Sequence, residues 1–314
     1  MVTGGLGFIG SNFINYWLKR HPDDYILNVD LCTYAADFNN IDKNLSSKNY
    51  DFIKEDICNE KRMVSLSKDV DIIVNFAAES HVDNSIQNAS SFVKSNYYGV
   101  YSLLEAGRIN DIRIHQVSTD EVFGALKPES KEIFNENTKY DPRNPYSATK
   151  AAADHLVRAY VNTYGLKATI SNCSNNFGPN QHVEKLIPKT ILNALSGKEI
   201  PVYGSGMNIR DWIYVEDHCS GIDAVITKGR MGETYLIGAR NERTNLEVIK
   251  LILSKLRKSE RLIEFVEDRK GHDYRYSLDP SKIERELGWS PSHPFDKAIA
   301  GTIEFYRKKF NVTT

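Results

Sequence analysis

The chain has 314 residues, 41% of them hydrophobic, and its 40 basic and 41 acidic side chains leave a net charge of −1. So even a balance gives no field for nucleic acid or an anionic membrane, and any anionic ligand has to be held by a local site. No apolar run reaches the roughly 18 residues of a membrane span. The histidines form no ligand-spaced cluster, so no metal is expected. Cys32, Cys58, Cys173 and Cys219 form no C-x-x-C pair, and reduced, mostly buried thiols are expected of them. The N-terminus opens on a strand and a glycine loop instead of a signal peptide, which points to the cytoplasm.

VTGGLGFIG reads as the end of a strand, a tight loop and the start of a helix. The helix continues through SNFINYWLKR with Phe13, Ile14, Trp17 and Leu18 on one face. Only Met1 to Thr3 precede the loop, where a strand usually has about five residues, so either the strand is short or the chain lacks its natural start. Further strands are expected at YILNVD, YDFIK, VDIIVNFAA and IRIHQVS, long helices around 90–109 and 146–164, and a strand, KATISN, at 167–172. Near-continuous apolar strands separated by helices imply a parallel sheet buried on both faces. That is the α/β doubly wound (Rossmann) fold, which binds ligands beyond the carboxyl ends of its strands. From about 175 Asn, Gly and Pro become frequent, as in NNFGPN and YGSGMN. The expected division is a Rossmann domain over 1–174 and a smaller C-terminal, mainly substrate-binding domain over 175–314. Elements at about 208–228, RDWIYVEDH among them, are expected to return to the main sheet.

Gly4, Gly5, Gly7 and Gly10 satisfy both G-x-G-x-x-G and G-x-x-G-x-x-G. Such a loop gives a tight turn, close approach of backbone to a pyrophosphate, and free N–H groups at a helix N-terminus. A plain glycine turn is the ordinary alternative, but Asp30 ends the next strand 20 positions after Gly10. A carboxylate there accepts bonds from both ribose hydroxyls and repels a 2′-phosphate. Leu31 and Cys32 supply no Arg, so NAD is expected over NADP.

Tyr146 and Lys150 stand at i and i+4 in NPYSATKAAADHL, on one face of a helix. Lowering a tyrosine by about three units requires roughly 4 kcal/mol of preference for the phenolate. A cation about 5 Å away at an effective dielectric near 20 supplies roughly 3 kcal/mol. Lys150 with a positive nicotinamide ring would then make Tyr146 a base for an alcohol whose carbon loses hydride. The same spacing is common by chance, and the neighbouring dinucleotide loop is what favours the chemical reading.

TGGLGFIG together with YSATK resembles the extended short-chain dehydrogenase/reductase family. AAESHVDNSI, STDEVFG, NCSNNFGPNQHVEKLIP, IRDWIYVEDH and DRKGHD narrow the resemblance, essentially end to end, to its sugar-nucleotide branch of dTDP-glucose 4,6-dehydratases. The resemblance implies bound NAD, a homodimer formed through the helices at 90–109 and 146–164, and a place in rhamnose-type deoxysugar-nucleotide biosynthesis. It gives Thr119 the task of polarising the alcohol beside Tyr146 and Lys150. It makes Glu121 the base at carbon 5 of the sugar and Asp120 the acid at the 6-hydroxyl, an acid pair that related sugar-nucleotide epimerases lack. Oxidation at carbon 4 makes the carbon 5 proton acidic, water is lost across carbons 5 and 6, and hydride returns to carbon 6. An Asp acting as acid at neutral pH needs a raised pKa, which burial and a neighbouring carboxylate provide. Adjacent residues of a strand point to opposite faces, so either the backbone at 119–121 leaves strand geometry or the sugar spans both side chains.

The same resemblance assigns Phe8, Ile9, Asp56, Ile57, Ala77, Ala78, Ser80 and Asn176 to the cofactor, beside Gly4, Gly7, Gly10, Asp30, Tyr146 and Lys150. It assigns Ser80, Thr119, Asn175, Lys185, Leu186, Arg210, Asn245, Arg269 and His272 to the nucleotide sugar, with Arg210 and Arg269 suited to a diphosphate and Tyr203 to stacking on the base. Lys270 in DRKGHD and Asp37 in AADFNN depart from the family pattern. A UDP-glucose 4,6-dehydratase, a 4-epimerase and a non-catalytic NAD-binding regulator are the alternatives. Asp120 and Glu121 argue against the epimerase, and the retained Tyr146, Lys150 and acid pair argue against the regulator. Thymine against uracil is a one-methyl distinction worth about 1–3 kcal/mol in a fitted pocket.

Overall fold

The apolar runs of the first half become strands in the computed structural model of the chain, which describes residues 1–43, 48–268 and 271–311. They are β1 (Val2–Thr3), β2 (Ile26–Asp30), β3 (Tyr50–Lys54), β4 (Ile72–Asn75), β5 (Arg113–Thr119) and β6 (Ala168–Cys173). The second half adds β7 (Asn175–Phe177), β8 (Ile200–Tyr203), β9 (Ile209–Tyr214), β10 (Thr234–Ile237), β11 (Glu242–Thr244) and β12 (Ile263–Val266). Seven strands form the main sheet in the order β10-β6-β5-β4-β1-β2-β3, and every pairing in it is parallel. β1 is only two residues long, yet Val2 lies opposite both Asn28 and Val74 at the centre of the sheet. The strand order reverses there, which opens a crevice at the carboxyl ends.

The helices are α1 (Phe8–Arg20), α2 (Glu60–Leu66), α3 (Val82–Gln87), α4 (Ala89–Phe92), α5 (Gly99–Asn110), α6 (Pro145–Tyr164), α7 (Leu186–Leu195), α8 (Val215–Lys228), α9 (Asn245–Leu256), α10 (Ser281–Leu287) and α11 (Phe295–Lys309). The long helix expected at 90–109 is α4 and α5 joined by a π-helical segment, Val93–Tyr98. On one face of the sheet Phe13, Ile14 and Leu18 of α1 pack with Ile222, Val225 and Ile226 of α8. On the other, Met63, Leu103, Leu104, Ala153 and Val157 from α2, α5 and α6 form a second layer. Full burial of each such side chain stabilises by roughly 1.5–3 kcal/mol, so both faces are firmly covered.

RDWIYVEDH divides differently from the expectation. Its strand, β9, does not rejoin the main sheet but lies between β11 and β7 in a separate three-stranded sheet. Pairing of Asn175 with Trp212 and of Arg210 with Arg243 takes up both of its edges. The helix that follows, α8, does return to cover the sheet, and β10 adds the seventh strand. β12 and β8 form a third, two-stranded sheet. All four cysteines are free thiols, with Cys173 and Cys219 buried and Cys32 and Cys58 half-buried.

Candidate active site

The glycine loop lies where β1 ends. Gly4 has φ +70°, and a Cβ on it would stand 2.6 Å from Ala77 Cα. A Cβ on Gly10 would stand 2.3 Å from Gly4 O, so glycine is required at both places by backbone contact. α1 starts at once, with Gly7 as its N-cap and no side chain bonded there, leaving N–H groups directed at the cleft. Asp30 is buried at the end of β2, and its carboxylate accepts Leu6 N at 3.0 Å and Cys32 N at 2.8 Å. The cleft running from this loop across the sheet ends is lined by Gly4, Gly7, Phe8, Ile9, Gly10, Asp30, Asp56, Ile57, Ala77, Ala78, Ser80 and Asn176. A glycine cradle too tight for any side chain, a helix N-terminus and a fixed carboxylate fit a dinucleotide with free ribose hydroxyls.

At its other end the same cleft is walled by Thr119, Asp120, Glu121, Tyr146, Lys150, Asn175 and Lys185. β5 stops at Thr119, and Asp120–Phe123 form a 3₁₀ turn. The Thr119 side chain caps that turn by accepting Glu121 N at 3.3 Å. The backbone has therefore left strand geometry at the acid pair, and both carboxylates reach one cleft. Asp120 is 2% exposed. Burial, then the Glu121 carboxylate beside it, push it well above the usual carboxylate range. Burial also raises Glu121, but Lys185, Arg210 and a hydrogen bond from Asn144 oppose the rise. The two titrate as a coupled pair in which Asp120 is the better proton holder.

Tyr146 and Lys150 are positioned by α6, which begins with Asn144 as N-cap, Pro145 in its first turn, and a reciprocal bond between Asn144 and Ser147. Lys150 was expected to lower the tyrosine together with a positive nicotinamide ring, and the protein's own groups by themselves act in the other direction. Burial, with Glu121, Cys173 and Asp120, pushes the Tyr146 phenol well above its usual range, and only a hydrogen bond with Thr119 opposes them. Burial pulls Lys150 down in turn, and its Nζ donates to Val117 O at 2.7 Å.

The remaining residues assigned to the sugar nucleotide are placed less uniformly. Leu186 begins α7, Tyr203 ends β8 and Asn245 begins α9, and none of the three lines the cleft. Arg210 is buried on β9 and spends its guanidinium on Ile209 O, Tyr274 O and Asp273 O, stacked 4.4 Å over the Tyr276 ring. In this arrangement it pins the 273–276 segment, and its charge still reaches Asp120 and Glu121. His272 bonds Asp268 at 2.6 Å and is likewise no part of the cleft wall. Arg269 and Lys270 lie outside the described residues. Asp37 caps the 3₁₀ turn Phe38–Asn40 and receives Lys309 Nζ at 3.2 Å.

Three groups that bear on the site carried no assignment from sequence. Asn144 Nδ2 approaches Glu121 Oε2 at 3.5 Å, and an Asn directly before Pro145 is the local signal that could have found it. Cys173 lines the cleft beside Lys150, which only the pairing of Thr119 with Cys173 reveals. Asp154 stands one helical turn beyond Lys150 and is fully buried. Its spacing was legible; its burial was not.

Residues 1–302 match the family described as GDP-mannose 4,6 dehydratase. A dTDP-glucose 4,6-dehydratase of Mycobacterium tuberculosis (strain CDC 1551 / Oshkosh) is 45% identical over 308 residues, spanning 98% of this chain and 92% of its own. The crystal structure of DesIV, a dTDP-glucose 4,6-dehydratase from Streptomyces venezuelae with NAD and TYD bound, is 42% identical with a TM-score of 0.95, over 99% of this chain and 97% of that one. The dTDP-glucose 4,6-dehydratase of Bacillus anthracis in complex with NAD is 43% identical with a TM-score of 0.92, over 99% and 96%.

Proposed function

The chain belongs to the GDP-mannose 4,6 dehydratase family, and on that premise we propose that it is a hydro-lyase converting dTDP-glucose to dTDP-4-keto-6-deoxyglucose with tightly held NAD. The observation that carries the reading is the turn at Thr119, which brings Asp120 and Glu121 into the cleft that also holds Tyr146, Lys150 and the glycine loop.

The glycine loop and Asp30 hold the cofactor's pyrophosphate and ribose. Bound NAD would supply acceptance of hydride from carbon 4 and its return at carbon 6. Tyr146 takes the proton of the 4-hydroxyl, and Thr119 orients that hydroxyl. Lys150 supplies the cation that favours the phenolate. Glu121 removes the carbon 5 proton, and Asp120 gives its proton to the departing 6-hydroxyl, so water leaves. Glu121 then returns its proton to carbon 5. The proton gained by Tyr146 balances the one given up by Asp120, and exchange with solvent resets both. The uneven pair supports this division, because Lys185, Arg210 and Asn144 all favour ionised Glu121, whereas burial and Glu121 keep Asp120 protonated.

Asn175, Ser80 and Lys185 serve the sugar end of the cleft in this reading, Asn176 the cofactor, and the 175–314 portion mainly serves the nucleotide. A cytoplasmic homodimer supplying rhamnose-type deoxysugar synthesis belongs to the same proposal. Its support is exposed apolar side chains, Val93, Tyr97 and Tyr98 on the π-helical segment before α5 and Tyr164 at the end of α6, which suit a helical interface. The purified chain is to be incubated with dTDP-glucose and UDP-glucose side by side. Loss of one water from the dTDP sugar, seen by mass spectrometry, is the expected result. A mass-neutral epimer, or unchanged sugars from a chain that binds NAD, sinks the proposal.

A further inference from the structure

The side of α6 that carries Tyr146 and Lys150 continues past the cleft. Asp154 and Arg158 follow at the same four-residue spacing, so the face reads phenol, ammonium, carboxylate, guanidinium. Asp154 is fully buried, and its Oδ2 accepts Ser118 Oγ at 2.7 Å, Tyr140 Oη at 2.9 Å and Asn172 Nδ2 at 3.2 Å. Arg158 Nη2 bonds Tyr140 Oη at 2.8 Å and Thr234 Oγ1 at 3.2 Å. Arg158 and Tyr140 also line a polar cavity on the far side, with Glu136, Glu233 and Lys282. A row of alternating charge therefore runs from the reaction cleft to that cavity.

Asp154 Oδ1 has no hydrogen-bond partner. Lys150 Nζ has spent one proton, on Val117 O. We propose that Asp154 is a positioning residue of the reaction, the buried counter-charge that keeps Lys150 an ammonium beside Tyr146, and that Tyr140 and Arg158 keep Asp154 itself ionised. This rests on the reading of Tyr146 and Lys150 given above. An ammonium wholly removed from water loses its proton readily unless a negative charge lies close. The titratable groups that act on Lys150 are Asp154 on its own helix and Cys173 on β6. Burial pushes the Cys173 thiol up to about 12, so it brings no charge at neutral pH. Burial raises Asp154 as well, with Lys150, the Ser118 bond, Arg158 and Tyr140 acting against it. Asp120 and Glu121 act on Tyr146.

The test is the pH profile of kcat on dTDP-glucose for the parent, Asp154→Asn and Asp154→Glu. Asn keeps the size and an acceptor but removes the charge, so Lys150 gives up its proton at lower pH. The alkaline limb then moves to lower pH, turnover falls at least about tenfold where the parent begins to decline, and acid-side turnover and KM are kept. Asp154→Glu restores the parent limb. A folded Asp154→Asn enzyme with the limb unmoved, or with an equal loss at every pH, overturns the proposal. A second measurement covers a variant that does not fold. Lys150→Met removes one of the two cations that act on the buried Asp154 carboxylate, so adding Asp154→Asn to it is expected to raise the melting temperature. A double variant no more stable than Lys150→Met also overturns the proposal. This melting arm needs no turnover, whereas a parent inactive on dTDP-glucose would sink the functional reading instead.

Discussion

Thr119 Oγ1 accepts the backbone N–H of Glu121 at 3.3 Å and donates to Asp120 Oδ1 at 3.3 Å. One hydroxyl thus ends β5, starts the 3₁₀ turn and touches the acid of the pair. Thr119→Val keeps the shape and removes both bonds. Turnover is expected to fall about 10²–10³-fold, with about 1 kcal/mol lost from the cap. Thr119→Ser is expected to keep most of both. Steady-state kinetics and thermal melts of the two variants check this.

Asp120→Asn is expected to block dehydration while stabilising the fold. The carboxyl of Asp120 is raised in the fold, so its contribution is full below the unfolded value and is lost as pH rises through the folded value. Asn does not titrate, and its advantage over the parent should grow from acid toward neutral pH, at roughly 2–4 °C of melting temperature per kcal/mol. The blocked enzyme still oxidises carbon 4, so the near-ultraviolet absorbance of reduced nicotinamide should build up on mixing with dTDP-glucose. A lower melting temperature at neutral pH, or normal product formation, would contradict the assignment.

Tyr146→Phe removes the proton acceptor and little else, since the ring still packs edge-on against Phe92 at 6.3 Å. Turnover is expected to fall about 10²–10⁴-fold. Bound NAD, measured by its release on denaturation, should be unchanged. A matching loss of NAD would mean that the tyrosine holds cofactor instead of moving a proton.

Gly10→Ala and Gly7→Ala are expected to separate. The first drives a methyl to 2.3 Å from Gly4 O, whereas the second meets nothing closer than Gly4 O at 3.4 Å. Overpacking of the first kind costs about 1–3 kcal/mol and displaces the cradle. Gly10→Ala should therefore purify without NAD and melt lower, and Gly7→Ala should keep its fold. Equal melting temperatures for the two would refute the reading of the cradle.

How much was legible in the sequence depends on the range of the interaction involved. The glycine loop, Asp30 at a strand end, and the i, i+4 pair Tyr146 and Lys150 are local patterns, set by steric limits and helical period within a few residues. The apolar runs gave β2 to β6 for the same reason. What only the tertiary structure decided is where distant segments meet. β9 was apolar enough for the main sheet, but β7 and β11 took both of its edges. Arg210 was legible as a candidate phosphate ligand, but its bonds to carbonyls more than 60 residues away were not. Tyr146 and Lys150 were legible as a pair, but their burial and the approach of Glu121 and Asp120 to Tyr146 came from packing. Burial and non-local charge set a pKa, and neither is written in the spacing of residues along one helix.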